Sequence, residues 1–231
     1  MPAKTTYLKL LEANNNNPHN PLFIYFSGMD GTGELLNLQA DGLTKYFDVK
    51  CLAIPNYDLN DWDVLTNSVI DEIKAQLQDK EQRSIYLCGE SFGGCLALSV
   101  ALAAPSLIEK LILVNPATSF SRSFWLNFGL LTEFLPESIN YVGTLFFLPF
   151  LAALDKIQQR DRTSLLKAMR SLPSKTVSWR ISLLKRFAID PQQLRQFTQP
   201  VLLIASTGDR LLPSVEEANR LVDIFPNSKR V

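Results

Sequence analysis

Short apolar runs alternate with longer amphipathic segments along this 231-residue chain. Strands are predicted for the apolar runs at 22–26, 49–54, 84–88, 111–114 and 201–205. Helices are predicted for the segments at 35–47, 62–77, 92–103 and 214–224. Nearly continuous apolar character is typical of strands that are covered on both faces. The pattern therefore predicts an α/β fold with a mainly parallel sheet and helices on both faces.

The stretch from 119 to 190 interrupts this alternation, because it contains no strand-like run with flanking turns. We interpret it as an inserted helical cap on a single core formed by residues 1–118 and 191–231. The last residues, 227–231, resemble the loop and the first residue of a further strand. The core is therefore expected to be C-terminally incomplete, with its last strand and helix missing.

A serine lies between a predicted strand and a predicted helix in the motif Gly89-Glu90-Ser91-Phe92-Gly93. Glycines on both sides allow the sharp strand-to-helix turn that exposes a nucleophilic hydroxyl. The free N–H groups at the helix start stabilise the oxyanion that forms when the serine attacks a carbonyl carbon. Ser91 is thus the predicted nucleophile, and the Phe92 N–H is a predicted oxyanion donor. A glycine-rich turn needed only for packing is the alternative.

A glycine-rich loop at 27–33, with the sequence SGMDGTG, follows the first predicted strand. Folds with this type of nucleophile turn place their second oxyanion amide on such a loop, and we assign it to the N–H of Met29. A phosphate-binding loop is the alternative, although the lysine and the spacing of that motif are absent. Asp30 is interpreted as a turn residue.

Asp209 is the predicted acid of a Ser-His-Asp triad, because it follows the strand predicted at 201–205. The other common position for this acid, after the preceding strand, is occupied by Asn115. A neutral amide does not stabilise an imidazolium as a carboxylate does. An ordinary cap or turn role for Asp209 is the alternative.

The chain contains one histidine, His19, in a polar segment before the first predicted strand. A triad histidine is expected last in chain order, after Asp209. We interpret His19 as a surface residue, so the catalytic histidine is absent from these residues. A serine without its base is a poor nucleophile, which predicts impaired activity for this chain.

Four blocks of the sequence together resemble one known family. They are FSGMDGTG at 26–33, GESFGG at 89–94, NPATSF at 115–120 and GDRLLPS at 208–214. In this order they resemble the phytyl ester synthase group of the esterase/lipase/thioesterase family of α/β-hydrolases. The resemblance implies an α/β-hydrolase fold and an acyl-transfer enzyme for lipid-like esters. Ser91 would carry the acyl group to an alcohol such as phytol or a diacylglycerol, or to water.

The first half of the predicted cap is rich in aromatic and aliphatic residues. A long acyl or isoprenoid chain fits beneath such a surface, which makes Phe124, Trp125, Phe128 and Phe146 candidate substrate-binding residues. Packing of the cap on the core is the alternative, and both roles are compatible.

The second half of the cap is basic and contains few acidic residues. Its cations are Lys156, Arg160, Arg162, Lys167, Arg170, Lys175, Arg180, Lys185, Arg186 and Arg195. Such a surface is a candidate contact for an anionic membrane or for an acyl-carrier protein. A solvated helix face is the alternative.

Composition and charge exclude other functions. Lysine plus arginine and aspartate plus glutamate both number 23, so no overall field attracts nucleic acid. The cysteines lack metal-ligand spacing, and neither a metal nor a cofactor is expected. Without an apolar leader or a spanning run, a cytoplasmic protein with peripheral membrane contact is expected. The competing interpretation is a non-catalytic, hydrolase-like protein that binds a lipid or a partner.

Overall fold

The computed structural model describes residues 8–13, 17–33, 36–77, 83–122, 172–209 and 212–231. Its strands are β1 (Lys9–Glu12), β2 (Leu22–Phe26), β3 (Asp48–Ala53), β4 (Ile85–Glu90), β5 (Lys110–Val114), β6 (Val201–Ile204) and β7 (Ser228–Arg230). Its helices are α1 (Asn37–Leu43), α2 (Trp62–Leu77), α3 (Phe92–Ala103), α4 (Ser174–Arg186), α5 (Pro191–Gln196) and α6 (Ser214–Val222). In the described ranges, 3₁₀ helices also span Pro105–Leu107 and Ala117–Arg122.

One sheet contains the described strands in the order β1-β3-β2-β4-β5-β6-β7. β1 runs antiparallel to β3, and the other neighbouring strands are parallel. The chain passes from β2 outward to β3 and then crosses to β4 on the opposite side of β2. Open parallel sheets bind ligands beside such a reversal, at the carboxyl ends of the strands. The loops after β2 and β4 are therefore the expected location of a site.

Apolar side chains cover both faces of the sheet. β2 is buried along its whole length, as expected for a central parallel strand. Adjacent residues of β4 belong to opposite faces: Leu87 packs in the larger cluster with α2 and α3, and Cys88 packs in the smaller cluster with Val49. The predicted α/β architecture with a mainly parallel sheet is confirmed.

Helix α4 is attached to the core by side chains that bond to main-chain oxygens. Thr176 Oγ1 donates to the Asn56 carbonyl at 2.7 Å, and Trp179 Nε1 donates to the Asn60 carbonyl at 2.9 Å. Both acceptors precede α2. Most of the predicted cap lies outside the described residues, so its boundaries at 119–190 stay a prediction.

Trp62 of α2 joins three parts of the fold. Its Nε1 donates to the Leu183 carbonyl of α4 at 2.9 Å. Its ring stacks on Phe92 with centroids 4.8 Å apart, and it meets the edge of Phe187 at 5.1 Å. Aromatic pairs at these separations add to the stabilisation from burial. The start of α3 is therefore packed between α2 and α4.

The expectation that the last strand is missing is wrong. Residues Ser228–Arg230 form β7 and pair in parallel with β6. The Val231 N–H extends this pairing, because it donates to the Leu203 carbonyl at 2.9 Å. Hydrophobic patterning did not indicate the strand, because β7 lies at the sheet edge and its side chains are largely exposed. β4 is also longer than predicted and continues through Gly89 and Glu90.

All three cysteines are free thiols, and Cys88 and Cys95 are buried. Burial raises the pKa of the half-buried Cys51 to about 11 and also raises the pKa values of Cys88 and Cys95. These thiols therefore stay protonated near neutral pH and are poor nucleophiles. No helix in the described ranges is long and apolar enough to cross a membrane.

Candidate active site

The turn between β4 and α3 holds Ser91 in a strained backbone conformation. Its φ of 52° and ψ of −115° lie outside the regions that non-glycine residues prefer. The Ser91 N–H donates to the Val114 carbonyl at 3.0 Å, and the Ser91 carbonyl accepts from the N–H groups of Gly94 at 3.0 Å and Ala117 at 3.1 Å. Ser91 itself is half-buried. This geometry matches the strand-to-helix turn that the motif predicts.

Close backbone approaches require two glycines of the motif. A Cβ at Gly93 would lie 2.2 Å from the carbonyl oxygen of Phe26 and 2.3 Å from that of Ser27. A Cβ at Gly89 would lie 2.4 Å from the Gly93 carbonyl oxygen. Contacts this short are strongly repulsive, so only glycine lets α3 approach the end of β2. The motif thereby brings the loop after β2 next to Ser91.

The loop after β2 is a closed turn. The Gly31 N–H donates to the Gly28 carbonyl at 3.2 Å. Asp30 Oδ2 accepts from the Thr32 N–H at 2.9 Å and from the Thr32 hydroxyl. The predicted turn role of Asp30 is confirmed, and the Met29 side chain is buried.

Several main-chain N–H groups near Ser91 donate no backbone hydrogen bond within the described part of the chain. Those of Met29 and Phe92 are among them. A Cβ at Gly28 would lie 3.8 Å from the Cβ of Ser91, so the loop that leads into Met29 lies close to the serine. Phe92 follows Ser91 and begins α3. Unoccupied donors beside a serine are the elements of an oxyanion hole.

Asp209 lies in the turn after β6. Like Ser91, it is at the carboxyl ends of the parallel strands. Its Oδ1 accepts from the Leu212 N–H at 3.0 Å, and its Oδ2 accepts from the hydroxyl of Ser214. The charge of Asp209 contributes to a raised pKa of Glu90, the residue before Ser91. Asp209 therefore lies within electrostatic reach of the serine turn, and it also bonds within its own loop as a turn residue does.

Glu90 and Tyr25 form a partly buried pair beside the site. The Tyr25 hydroxyl donates to Glu90 Oε2. Burial raises the pKa of Glu90, the Tyr25 hydrogen bond opposes this shift, and repulsion from Asp30 and Asp209 adds to it. Burial and the Glu90 charge likewise raise the pKa of Tyr25. Both groups therefore hold their protons to higher pH than they do in water.

His19 lies far from Ser91. It is exposed before β2, and its N–H donates to Asn17 Oδ1 at 3.1 Å. Ser91 follows the carboxyl end of β4, which is parallel to β2, whereas His19 precedes the amino end of β2. The two residues therefore lie at opposite ends of the parallel strands. The five residues of β2 span about 16 Å between these two ends. The prediction that His19 is a surface residue is confirmed.

The candidate substrate-binding residues Phe124, Trp125, Phe128 and Phe146 lie outside the described residues. Their role in binding an acyl chain stays a prediction. Within the described ranges, no cluster of His, Cys, Asp and Glu side chains is arranged to hold a metal ion.

The predicted basic surface requires one correction. Arg180 does not belong to it, because the residue is only 1% exposed. Lys175, Arg186 and Arg195 are exposed on α4 and α5, while the predicted cations at 156–170 lie outside the described residues. Arg180 instead donates to the Met29 carbonyl in the loop after β2.

The sequence does contain a signal for the burial of Arg180, although the charge pattern hides it. Val177, Arg180, Ile181 and Leu184 follow the spacing i, i+3, i+4, i+7, which marks one face of a helix. All four are buried in α4. A cation on an apolar helical face indicates a specific partner inside the fold.

This fold and this site together define the class of protein. A mainly parallel sheet that carries a serine on a strained strand-to-helix turn, beside a glycine-rich loop, is the architecture of the α/β hydrolases. The sequence profile of the α/β hydrolase fold family matches residues 53–231, and the chain belongs to this family.

Within the family, the chain is similar to the phytyl ester synthases of Arabidopsis thaliana. It is 35% identical to phytyl ester synthase 1, chloroplastic, over 230 residues that cover 90% of this chain and 33% of the relative. It is 41% identical to phytyl ester synthase 2, chloroplastic, over 108 residues that cover 47% of this chain and 15% of the relative. The chain thus spans about a third or less of the length of these relatives. The resemblance seen in the four sequence blocks is confirmed.

Solved structures show the same fold at low sequence identity. MenH from S. aureus superposes with a TM-score of 0.78 at 18% identity, covering 98% of this chain and 88% of that protein. Est816, an N-acyl homoserine lactone degrading enzyme, superposes with a TM-score of 0.74 at 16% identity, covering 97% of this chain and 87% of that protein. At these identities the similarity establishes the fold alone.

Proposed function

We propose that this chain is a serine-dependent acyl hydrolase or acyltransferase that acts on lipid-like esters. The observation that carries the proposal is the strained Ser91 turn, which lies beside the N–H groups of Met29 and Phe92. A fold retains backbone strain where the surrounding structure enforces it, commonly at catalytic sites. Similarity to the phytyl ester synthases supports a lipid-like acyl ester as the substrate.

In the proposed reaction, the Ser91 oxygen attacks the ester carbonyl carbon while its proton passes to a base. The negative charge that forms on the carbonyl oxygen is stabilised by the N–H groups of Met29 and Phe92. The bond to the alcohol then breaks, the alcohol takes the proton from the base, and the acyl group stays on Ser91. Water then releases a fatty acid, or a second alcohol such as phytol forms a new ester, and Ser91 regains its proton.

Asp209 is the proposed acid that orients the base and stabilises its charged form. The base is not His19, because this residue lies at the amino ends of the parallel strands and Ser91 lies at their carboxyl ends. We therefore expect these 231 residues to show only residual activity, since loss of one triad member leaves about 10³–10⁴-fold catalysis over water.

Added imidazole tests the missing base directly. Hydrolysis of a p-nitrophenyl acyl ester by residues 1–231 should rise with imidazole concentration, after subtraction of the rate with imidazole alone. Ser91→Ala should abolish this increment. Ser121→Ala should retain it, because Ser121 is an exposed serine on the 3₁₀ helix Ala117–Arg122.

Labelling identifies the nucleophile independently of turnover. With imidazole present, a fluorophosphonate probe should modify Ser91, as located by mass spectrometry of the digested protein. Equal imidazole-dependent rates for the wild type and Ser91→Ala would overturn the proposed role of Ser91. Fast hydrolysis without imidazole that still requires Ser91 would contradict the expected impairment.

The lipid part of the proposal has its own test. Esters with acyl chains of increasing length should show rising kcat/KM, because a longer apolar chain buries more surface. Phe128→Ala should reduce the preference for long chains and spare the shortest ester. Equal kcat/KM values for short and long esters would reject a lipid substrate and leave the acyl-transfer chemistry in place.

A non-catalytic lipid-binding protein is the second candidate. The observation that favours it is the distance of the sole histidine from Ser91. It predicts that the purified chain binds a fatty acid or phytol, while Ser91 stays unlabelled by the fluorophosphonate even with imidazole. Labelling of Ser91 would reject this candidate.

The exposed cations Lys175 and Arg195 support contact with an anionic membrane that contains the lipid substrate. Each basic residue near such a surface contributes about 1 kcal/mol, and salt screens the attraction. Binding to vesicles with anionic lipid should therefore weaken as salt increases. Binding that salt does not change would reject this contact, and salt-sensitive binding to an acyl-carrier protein alone would favour that partner instead.

A further inference from the structure

Arg180 is a buried cation on the apolar face of α4. Burial lowers the pKa of its guanidinium to about 10, and the charges of Asp58 and Asp30 oppose this shift. The side chain therefore keeps its charge at neutral pH. Moving a cation out of water is costly unless polar groups replace the lost hydration. Polar groups inside the fold must therefore compensate for the hydration that Arg180 loses.

Those partners are main-chain oxygens. Arg180 Nη1 donates to the Met29 carbonyl, and Nη2 donates to the Pro55 carbonyl at 3.3 Å. The ion pairs formed among the described residues do not include Arg180. A planar guanidinium is suited to this geometry, because its donors are fixed in a fork that engages two acceptors at once.

The same side chain contacts both residues that supply the proposed oxyanion donors. Met29 accepts the Arg180 hydrogen bond through its carbonyl, and its own N–H is one of the proposed donors. The Arg180 Cζ also lies 5.7 Å from the centroid of the Phe92 ring, and Phe92 supplies the second donor. Arg180 thus connects α4, the loop after β2 and the start of α3.

Gly31 provides the space that this arrangement needs. Its φ is +68°, a conformation that glycine adopts readily, and a Cβ there would lie 2.8 Å from Arg180 Nη1. The Gly31 carbonyl accepts from the Ile54 N–H at 2.9 Å, which ties the loop to the end of β3. The loop is therefore held by a turn, a strand end and one buried guanidinium.

We infer that Arg180 is a positioning residue for the oxyanion hole. Its hydrogen bond holds the Met29 carbonyl from inside the core, which fixes the orientation of the loop that presents the Met29 N–H. Arg180 is too deeply buried to contact the substrate, so it acts through Met29 and Phe92. This inference rests on the proposed function of Ser91 and adds that α4 controls the geometry of the site.

The rate at which the fluorophosphonate phosphonylates Ser91, with loss of fluoride, is the first test. In the presence of imidazole, Arg180→Met should react about 10–100-fold more slowly, because a misplacement of 1 Å at a catalytic group costs about 10²-fold. The loss should appear in the maximal rate, while the probe concentration at half-maximal rate stays unchanged. Arg230→Met is the control, because Arg230 is an exposed arginine on β7.

Chemical rescue separates positioning from a general packing role. Guanidinium at millimolar concentration should restore part of the phosphonylation rate of Arg180→Ala, whereas methylammonium should not, because it lacks the planar fork. Arg180→Lys should also stay slow, since a single ammonium does not reproduce the two-acceptor geometry. An unchanged phosphonylation rate in folded Arg180→Met, or equal rescue by both ions, would overturn the inference.

Hydrogen exchange tests the coupling in the wild-type chain, where no variant has to fold. The Gly31 amide, which is hydrogen-bonded within the loop, and the amides of α4 should open with the same free energy and the same denaturant dependence. Exchange of the loop through an opening independent of α4 would overturn the inference. If no probe attaches to Ser91, the proposed function fails, and this exchange experiment still decides whether Arg180 orders the loop.

Discussion

The side-chain oxygen of Asn115 accepts a hydrogen bond from the backbone N–H of Ser206 at 2.8 Å. Asn115 follows β5 and Ser206 follows β6, so the bond joins two strand ends at the start of the loop that carries Asp209. Asn115 has a φ of 41°, in the left-handed region that asparagine adopts more readily than most residues. The residue at the alternative acid position therefore shapes the loop of the proposed acid.

Two replacements of Asn115 should distinguish the contribution of its hydrogen bond to stability from the contribution of its backbone conformation. Asn115→Ala should lower the free energy of unfolding by about 2 kcal/mol, because it removes the acceptor and places a Cβ-bearing residue at positive φ without compensation. Asn115→Gly should cost about 1 kcal/mol less than the alanine variant, because glycine tolerates this φ. Urea unfolding measures both, and equal losses would contradict a role for the conformation.

Two glycine-to-alanine changes should have opposite effects on stability. Gly93→Ala should destabilise the fold by about 3 kcal/mol or more, because the new Cβ would lie 2.2 Å from a main-chain oxygen. Gly42→Ala should stabilise by about 0.5–1 kcal/mol, because it lies in α1 with no atom within 4 Å of the added Cβ. Thermal and urea unfolding compare the pair. A mild effect at Gly93 would refute the close approach of α3 to β2.

The pH dependence of stability should report the protonation of the partly buried Glu90. Its pKa in the folded chain is raised above 4.5, so the folded state binds this proton more tightly than the unfolded state does. The resulting contribution to stability is fully present below pH ~4.5 and is lost as pH rises through the folded pKa, at about 1.4 kcal/mol per pKa unit. Glu90→Gln removes this loss, so its stability relative to the wild type should increase with pH.

Urea unfolding at several pH values between 4 and 8 checks this expectation. Glu109→Gln is the matched control, because Glu109 is an exposed glutamate. If the difference in free energy of unfolding between Glu90→Gln and the wild type stays constant with pH, Glu90 has the same pKa in the folded and unfolded states.

A buried glutamate links α6 to the segment after β5. Glu217 is 3% exposed and pairs with Arg122 at 2.6 Å and with Arg220 at 2.7 Å, while the Thr118 hydroxyl also donates to it. Glu217→Ala should cost about 2 kcal/mol, because it removes the hydrogen bonds that the buried carboxylate accepts from Thr118 and from the two partly exposed guanidinium groups. Urea unfolding of this variant measures the loss.

The neighbouring glutamate provides the control for that experiment. Glu216→Ala should change stability by no more than about 0.5 kcal/mol, because Glu216 is exposed. Similar small effects for Glu216→Ala and Glu217→Ala would contradict a structural role for the buried cluster.

The sequence predicted those elements whose signal is local. The strand at 22–26 and the helices at 62–77 and 92–103 coincide with β2, α2 and α3, because buried strands and helical periods are visible in short windows. The serine turn was also predictable, since its glycines lie at fixed positions from Ser91. In each case the residues that determine the conformation are neighbours in the chain.

Other features depend on contacts between distant segments. β7 consists of polar residues at a sheet edge, and its pairing with β6 leaves no hydrophobic pattern. Arg180 belongs to a run of cations, and its burial follows from main-chain oxygens more than 120 positions away, at Met29 and Pro55. The bond from Ser206 to Asn115 likewise joins residues 91 positions apart. Such contacts are set by the assembled fold.

The attachment of α4 through Thr176, Trp179 and Arg180 has a consequence for how this protein tolerates change. Each of these side chains bonds to a carbonyl oxygen, a group that every amino acid supplies. These three bonds therefore depend on the path of the accepting main chain, and the identity of the accepting side chains does not enter them directly. A change that preserves this path leaves the anchoring of the helix intact.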